Sequence, residues 1–218
     1  AITFIALSTN DDIIIIDAER EYGDLTRALQ GTVLEVSPNS SHHINPLDIG
    51  RGYGASGERP VAMKSELMMS LCEQQMGAGL NMFAHETNVD IDNRIICFDL
   101  YEMGEQLKPT ALNVTMETIQ NRVASNRLAG KYTWVFIDEI YLFFKYFYSA
   151  QFLYKCWKRF RKYYATLTGI TQNVEYLLDS VQASTMLSNS EFIVMLNQAA
   201  SDRAKLAKLL NISNEQMS

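Results

Sequence analysis

Two adjacent carboxylates, Asp138 and Glu139, follow directly on a continuously apolar run at 134–137. Such a run is typical of a strand covered on both faces of a sheet, so the acids stand where the strand leaves the core. There the first carboxylate can hold the water shell of Mg²⁺ and the second can polarise an attacking water. The alternative is a helix N-terminus that favours acids through its dipole, and the pair alone does not decide between the two.

Four other apolar runs also end at a polar residue. They are 13–16 followed by Asp17, 95–98 followed by Asp99, 165–170 followed by Thr171-Gln172, and 192–196 followed by Asn197. Segments with helical periodicity lie between the runs, at 22–30, 61–76, 111–129, 149–163, 174–188 and 201–210. Alternating strands and helices predict parallel βαβ units, whose ligand crevice lies beyond the carboxyl ends of the strands. The polar residues that close the runs are therefore expected to converge there.

Three further residues are expected at this predicted crevice. Asp17 would contact the ligand with Glu21 beside it, or Asp17 would form a capping box for the next helix. Gln172 would position a water or contact a terminal phosphate, or its amide would satisfy loop backbone. The residue types leave both pairs of alternatives open.

Arg203 opens the last helical segment, next to Asp202. The helix dipole disfavours a cation at that end, so its presence there points to a use. One use would be an arginine supplied across a subunit interface to stabilise the charge of a transferring phosphoryl group. The alternative is a solvated side chain or a local pair with Asp202.

The composition fits one domain over 1–218, because 218 residues of 47% hydrophobic content bury one substantial core.

The net charge of -6 argues against a surface that neutralises many phosphates. A local basic stripe at helical spacing would meet DNA, an acidic partner or a membrane-side assembly, or it would form a solvated face; its residues are Lys155, Lys158, Arg159 and Lys162. Three dispersed cysteines favour buried thiols in a reducing cytoplasm, and no apolar stretch reaches the length of about eighteen residues that spans a bilayer.

The chain carries no G-x-x-x-x-G-K-[ST] signature, in which backbone amides cradle phosphate and the lysine reaches it. The glycine-rich segment 37–59 is predicted to be a long loop, and Lys64-Ser65 lacks the preceding glycine. The histidines lack metal-ligand spacing with the cysteines, so no zinc site is predicted.

Six short motifs together resemble a known family. They are DAEREY at 17–22, NPL at 45–47, FIDE at 136–139, WKR at 157–159, TGITQNV at 168–174 and LNQAASDR at 196–203. The chain resembles the conjugation ATPases of type IV secretion over nearly its whole length. It is most similar to the C-terminal motor domain of the fourth VirB component, also called the TraC, TrbE or CagE class.

This resemblance implies an α/β fold of the FtsK/HerA branch: a RecA-like P-loop NTPase, built as a three-layer sandwich with a mostly parallel central sheet flanked by helices. It also implies ATP and Mg²⁺ as ligands, and hydrolysis that powers substrate transfer or assembly of a channel or pilus. The matching residues are the Walker B pair Asp138 and Glu139, with Asp138 on Mg²⁺ through water, the post-strand Gln172, the late Arg203 and the acid Glu21.

The resemblance further implies a homo-oligomer, a hexamer when active, at the cytoplasmic face of the inner membrane. Its partners would be other secretion components, including the coupling protein and inner-membrane channel proteins. Two rival functions stay open: a DNA-translocating motor of the coupling-protein or HerA type, and a nucleotide-free scaffold. The family's phosphate-binding loop is expected before Ala1, and a helical insertion is expected near 76–80.

Overall fold

The computed structural model describes residues 1–44, 87–172, 174, 177, 180–196 and 207. Within these ranges five strands form one sheet. They are β1 (Asp12–Asp17), β2 (Thr32–Glu35), β3 (Ile95–Asp99), β4 (Thr133–Ile137) and β5 (Ala165–Gly169). The order across the sheet is β2-β3-β1-β4-β5, so β1 lies in the centre, and every neighbouring pair runs parallel.

Helices cover both faces of the sheet. They are α1 (Ile2–Ser8), α2 (Gly23–Ala28), α3 (Lys108–Leu128), α4 (Tyr141–Phe144), α5 (Phe147–Phe160) and α6 (Val181–Ser188), with a 3₁₀ turn at Arg161–Tyr163. The long helix α3 carries Pro109 in its first turn, where a missing N–H is harmless. Gly130, with a φ of 68°, follows the end of α3 and lets the chain turn into β4.

Alternate residues of β1 point to opposite faces of the sheet, and both faces are buried. Ile14 and Ile16 pack with α3, α5 and α6 in the larger core cluster, whereas Ile13 and Ile15 pack with α1 and α2 in the smaller one. None of the four is more than 2% exposed. Because β-branched side chains suit a strand covered on both faces, these isoleucines form the centre of a three-layer sandwich.

The carboxylate of Asp12 ties the amino end of β1 to the end of α3. It accepts hydrogen bonds from Arg122 Nε at 2.5 Å and Asn126 Nδ2 at 2.7 Å, and it forms an ion pair with Lys131. Arg122 also donates to the backbone carbonyl oxygens of residues 91–93. The network therefore fixes α3 and the segment before β3 against the sheet, at the edge opposite the carboxyl ends of the strands.

Four of the five predicted strands are confirmed, and the fifth is wrong. The segment 192–196 is irregular, and Phe192, Val194 and Leu196 are 88%, 85% and 80% exposed. No strand in the described part of the chain pairs with this segment, so its apolar composition alone does not make it a strand. The edge strand β2 was not expected, because it has only four residues and a single buried one, Leu34.

The helices predicted at 22–30, 111–129 and 149–163 are confirmed with shifted ends. Of the helix predicted at 174–188, the structure describes α6 and two isolated residues, Val174 and Leu177. The two described cysteines, Cys97 and Cys156, are buried and form no disulfide, as expected. Several predictions lie outside the described residues, namely the motif at 45–47, the helices at 61–76 and 201–210, and the insertion near 76–80.

Candidate functional site

Polar residues follow the carboxyl ends of three adjacent strands. Asp17 closes β1, Asp138 follows β4, and Gln172 lies just past β5. Backbone pairing continues beyond the strands, since Asp138 N donates to Ile16 O at 2.9 Å. The structure thus places these three residues along one edge of the sheet, where open α/β sheets bind their ligands.

Glu139 occupies a strained backbone conformation in the turn after β4. Its φ of 46° lies in the left-handed region, which residues with a side chain rarely adopt. Its Oε2 accepts a hydrogen bond from Thr171 Oγ1 at 3.3 Å, across to the loop after β5. Asp138 and Glu139 are both largely buried, at 8% and 9% exposed. Because strain of this kind persists where a side chain must be held in one direction, it supports a functional role for Glu139.

Asp17 is fully buried and holds the loop that follows β1. Its Oδ1 accepts a hydrogen bond from the Glu21 N–H at 3.0 Å, and its Oδ2 accepts one from the Tyr22 N–H at 2.9 Å. Arg20, which lies between Asp17 and Glu21 in the chain, has a φ of 61°. This left-handed conformation turns the chain back over the end of β1. Asp17 thus satisfies backbone donors of the loop but forms no capping box, because α2 has Tyr22 at its N-cap and no side-chain cap hydrogen bond. Contact of Asp17 with a ligand stays a prediction. Glu21 remains exposed at the crevice.

Arg20 joins the loop after β1 to the loop after β3. Its Nε donates to Asp99 Oδ2 at 2.6 Å and its Nη1 donates to Glu102 Oε1 at 3.0 Å. Its guanidinium also lies over the Tyr101 ring, 5.1 Å from the centroid. Arg20 therefore positions the backbone that carries Glu21. Nothing in the sequence pattern singled it out, although it lies inside the motif at 17–22.

The carboxylates around Asp138 disfavour its ionised form. Burial, followed by the charges of Glu139, Asp17 and Glu21, raises the pKa of Asp138 from 3.8 to about 6. Burial and the charge of Asp138 also raise the pKa of Tyr22. A cation beside Asp138 would relieve this repulsion.

The acids at this edge fit Mg²⁺ only if waters and the phosphates of a substrate supply its other ligands. Within the described ranges no group of three or more His, Cys, Asp or Glu side chains could hold a metal ion by itself. Mg²⁺ is commonly bound through one or two carboxylates, several waters and the phosphates of a substrate. Asp138 stays the predicted carboxylate for such an ion, and the negative charge around it would favour a cation there.

Asp138→Asn is expected to raise the melting temperature by a few °C at about pH 8 and to change it little at about pH 4. The folded chain favours the neutral carboxyl, so the stability that this group contributes is present below pH 3.8 and is lost as the pH rises through about 6. Asparagine keeps the side chain neutral at every pH. Thermal unfolding in metal-free buffer measures the difference, and an equal shift at both pH values would contradict this assignment.

Gly169→Ala is expected to lower the free energy of unfolding by about 1–3 kcal/mol. A Cβ at this position would lie 2.5 Å from Ile140 Cδ1 and 3.2 Å from Ile140 Cγ2, in the turn that carries Glu139. Ile140→Ala removes both atoms, so the double variant should lose less stability than the two single variants together. Denaturant unfolding of the four proteins gives the coupling, and strictly additive losses would rule out the close contact.

The two remaining predicted residues have different outcomes. Gln172 is exposed and stands next to Thr171, whose hydroxyl donates to Glu139. Arg203 lies outside the described residues. The roles of both in binding or catalysis stay predictions.

The arrangement of the sheet and its helices is similar to that of a solved structure. The chain matches VirB4 of Thermoanaerobacter pseudethanolicus with a TM-score of 0.69, over 95% of this chain and 75% of that chain. The chain has the fold of VirB4. The RecA-like sandwich and the resemblance to the fourth VirB component are thereby confirmed at the level of the fold, since the two sequences are 19% identical.

Two other comparisons found no relative. No protein-family model and no curated protein matches the sequence.

None of the helices in the described ranges is long and apolar enough to cross a membrane.

Proposed function

We propose that the chain is an ATP-hydrolysing motor domain of a type IV secretion or conjugation system. One observation carries the proposal: Asp138 and Glu139 form a turn with a left-handed residue at the carboxyl edge of a sheet that has the VirB4 fold. Hydrolysis would power substrate transfer or the assembly of a channel or pilus.

In this proposal Glu139 acts as the general base. Its carboxylate, restrained by the left-handed backbone and by Thr171, orients the water that attacks the terminal phosphate of ATP and accepts its proton. Asp138 would hold Mg²⁺ through water, and the charge of the ion would offset the charge on the phosphate oxygens. Gln172 donates to the attacking water or to the terminal phosphate.

The loop after β1 contributes through its backbone geometry. Asp17 fixes the loop and so places Glu21 at the crevice, where Glu21 helps to order the waters around the ion. Asp17 would contact the nucleotide while both of its carboxylate oxygens also accept backbone hydrogen bonds. Arg203 of a neighbouring subunit stabilises the developing charge.

The arginine supplied from a neighbour requires a homo-oligomer, for which a hexamer is the form proposed when active. The same proposal places the protein at the cytoplasmic face of the inner membrane. Its partners there would be other secretion components, including the coupling protein and inner-membrane channel proteins.

Nucleotide binding and phosphate release by the full-length protein test the proposal. A fluorescent ATP analogue should bind, and phosphate release should stop when EDTA removes Mg²⁺. A protein that binds no nucleotide would be the scaffold, and turnover that rises strongly with added DNA would indicate the DNA-translocating motor.

A further inference from the structure

The charges of the chain are segregated along the sequence. Residues 140–174 contain six Lys or Arg residues and no Asp or Glu, which leaves 13 cations against 25 acids in the rest of the chain. The net charge of -6 therefore conceals a positive segment inside a strongly acidic protein. This segment includes α5 and the 3₁₀ turn that follows it.

The exposed side chains of α5 lie on one face, here called the α5 stripe. Spacings of three, four and seven residues align them, and they are Phe147, Tyr148, Gln151, Lys155, Lys158 and Arg159. The opposite face of α5 is buried, with Leu153, Cys156 and Phe160 in the core. The stripe thus begins with two aromatic rings and ends with three cations.

Both ends of the α5 stripe present surface that a ligand can reach. The Phe147 and Tyr148 rings are 65% and 51% exposed and meet edge-on, with their centroids 5.5 Å apart. At the other end, Lys158 Nζ lies over the Tyr154 ring, 4.2 Å from its centroid. The 3₁₀ turn adds Arg161, 80% exposed, which pairs with Glu191 at 2.7 Å.

We propose that the α5 stripe binds single-stranded nucleic acid. Exposed aromatic rings followed by a row of cations are the combination that stacks bases and neutralises the backbone of a single strand. The stripe is about 18 Å long at 1.5 Å per residue, which is enough for a few nucleotides.

A lipid surface fits the α5 stripe less well than nucleic acid does. A helix that lies in a membrane inserts its apolar face between the lipids. The apolar face of α5 is already packed against the core, so insertion would require the helix to leave the sheet. The charge complementarity is therefore with a polyanion at the surface.

Fluorescence anisotropy of a labelled oligothymidine of about 20 nucleotides with the full-length protein tests the proposal. The logarithm of the binding constant should fall with the logarithm of salt concentration, with a slope of about -2 to -3.5 for three to five neutralised phosphates. Lys155→Gln should make the slope shallower by about 0.7. Arg27→Gln, which removes an exposed cation on α2, should leave the slope unchanged.

The aromatic end has a separate readout. The double variant Phe147→Ala/Tyr148→Ala should lower affinity about tenfold without changing the salt slope, because stacking releases no counterions. Glu139→Gln should bind as the unaltered protein does. Absent binding, equal affinity for duplex DNA, or a Lys155→Gln slope equal to that of Arg27→Gln would overturn the proposal. Binding only to vesicles that contain phosphatidylserine would overturn it too.

Discussion

Glu139→Gln is expected to lower ATP turnover by about 100- to 10,000-fold, the contribution of a positioned general base. Glutamine preserves the size of the side chain and can still contact Thr171, but it cannot accept the proton of the attacking water. Nucleotide affinity should change little, because the lost interaction forms only in the transition state. Phosphate release at saturating ATP, with binding of a fluorescent analogue in parallel, measures both quantities on the full-length protein.

Glu19→Gln is the matched control for this substitution. Glu19 is an exposed acid in the loop after β1, so the same chemical change there should leave turnover within about twofold. If Glu139→Gln kept the turnover of the unaltered protein, Glu139 would have no part in the reaction. The strained turn would then need a structural explanation.

Asp12→Ala is expected to lower the free energy of unfolding by about 2–3 kcal/mol, the largest stability effect predicted for a single side chain here. The carboxylate is 1% exposed and is shared by Arg122, Asn126 and Lys131. The loss should fall below the 3–5 kcal/mol typical of a broken buried pair. Arg122 keeps its bonds to carbonyl oxygens, and the Lys131 side chain is 30% exposed and can be hydrated.

Denaturant unfolding at neutral pH measures this loss, and Glu191→Ala provides the comparison. Glu191 also loses an arginine partner, at 2.7 Å, but both of those side chains are well exposed, so its removal should matter by less than about 1 kcal/mol. A similar effect at the two positions would show that burial of Asp12 adds nothing. ATP turnover should be unaffected by Asp12→Ala at temperatures where the protein stays folded.

Most of the sheet could be predicted from the sequence, for a physical reason. The runs that became β1, β3 and β4 are apolar throughout because both faces of those strands are covered. The segment 192–196 has the same composition but no neighbouring strand in the described part of the chain. Composition reports how apolar a segment is and does not report which segment lies beside it.

The position of the candidate site in the fold could be predicted, but the interactions that each of its residues makes could not. The acids were expected at the strand ends, since parallel strands leave the core at the same edge. Asp17 accepts hydrogen bonds from two backbone N–H groups because the chain turns at the left-handed residue Arg20. Neither Arg20 nor Glu139 is glycine, so the residue types did not indicate a positive φ at either position.

The central position of β1 has a consequence for protein synthesis. Its partners follow late in the chain, since Ile13 pairs with Ile95 about 80 residues later and with Trp134 about 120 residues later. At a translation rate of about 5–20 residues per second, the four isoleucines of β1 wait roughly 6–24 s for the second neighbour. Before β3 emerges, about 4–16 s after β1, the most apolar segment of the sheet has no strand to pair with, so its isoleucines are open to association with other chains.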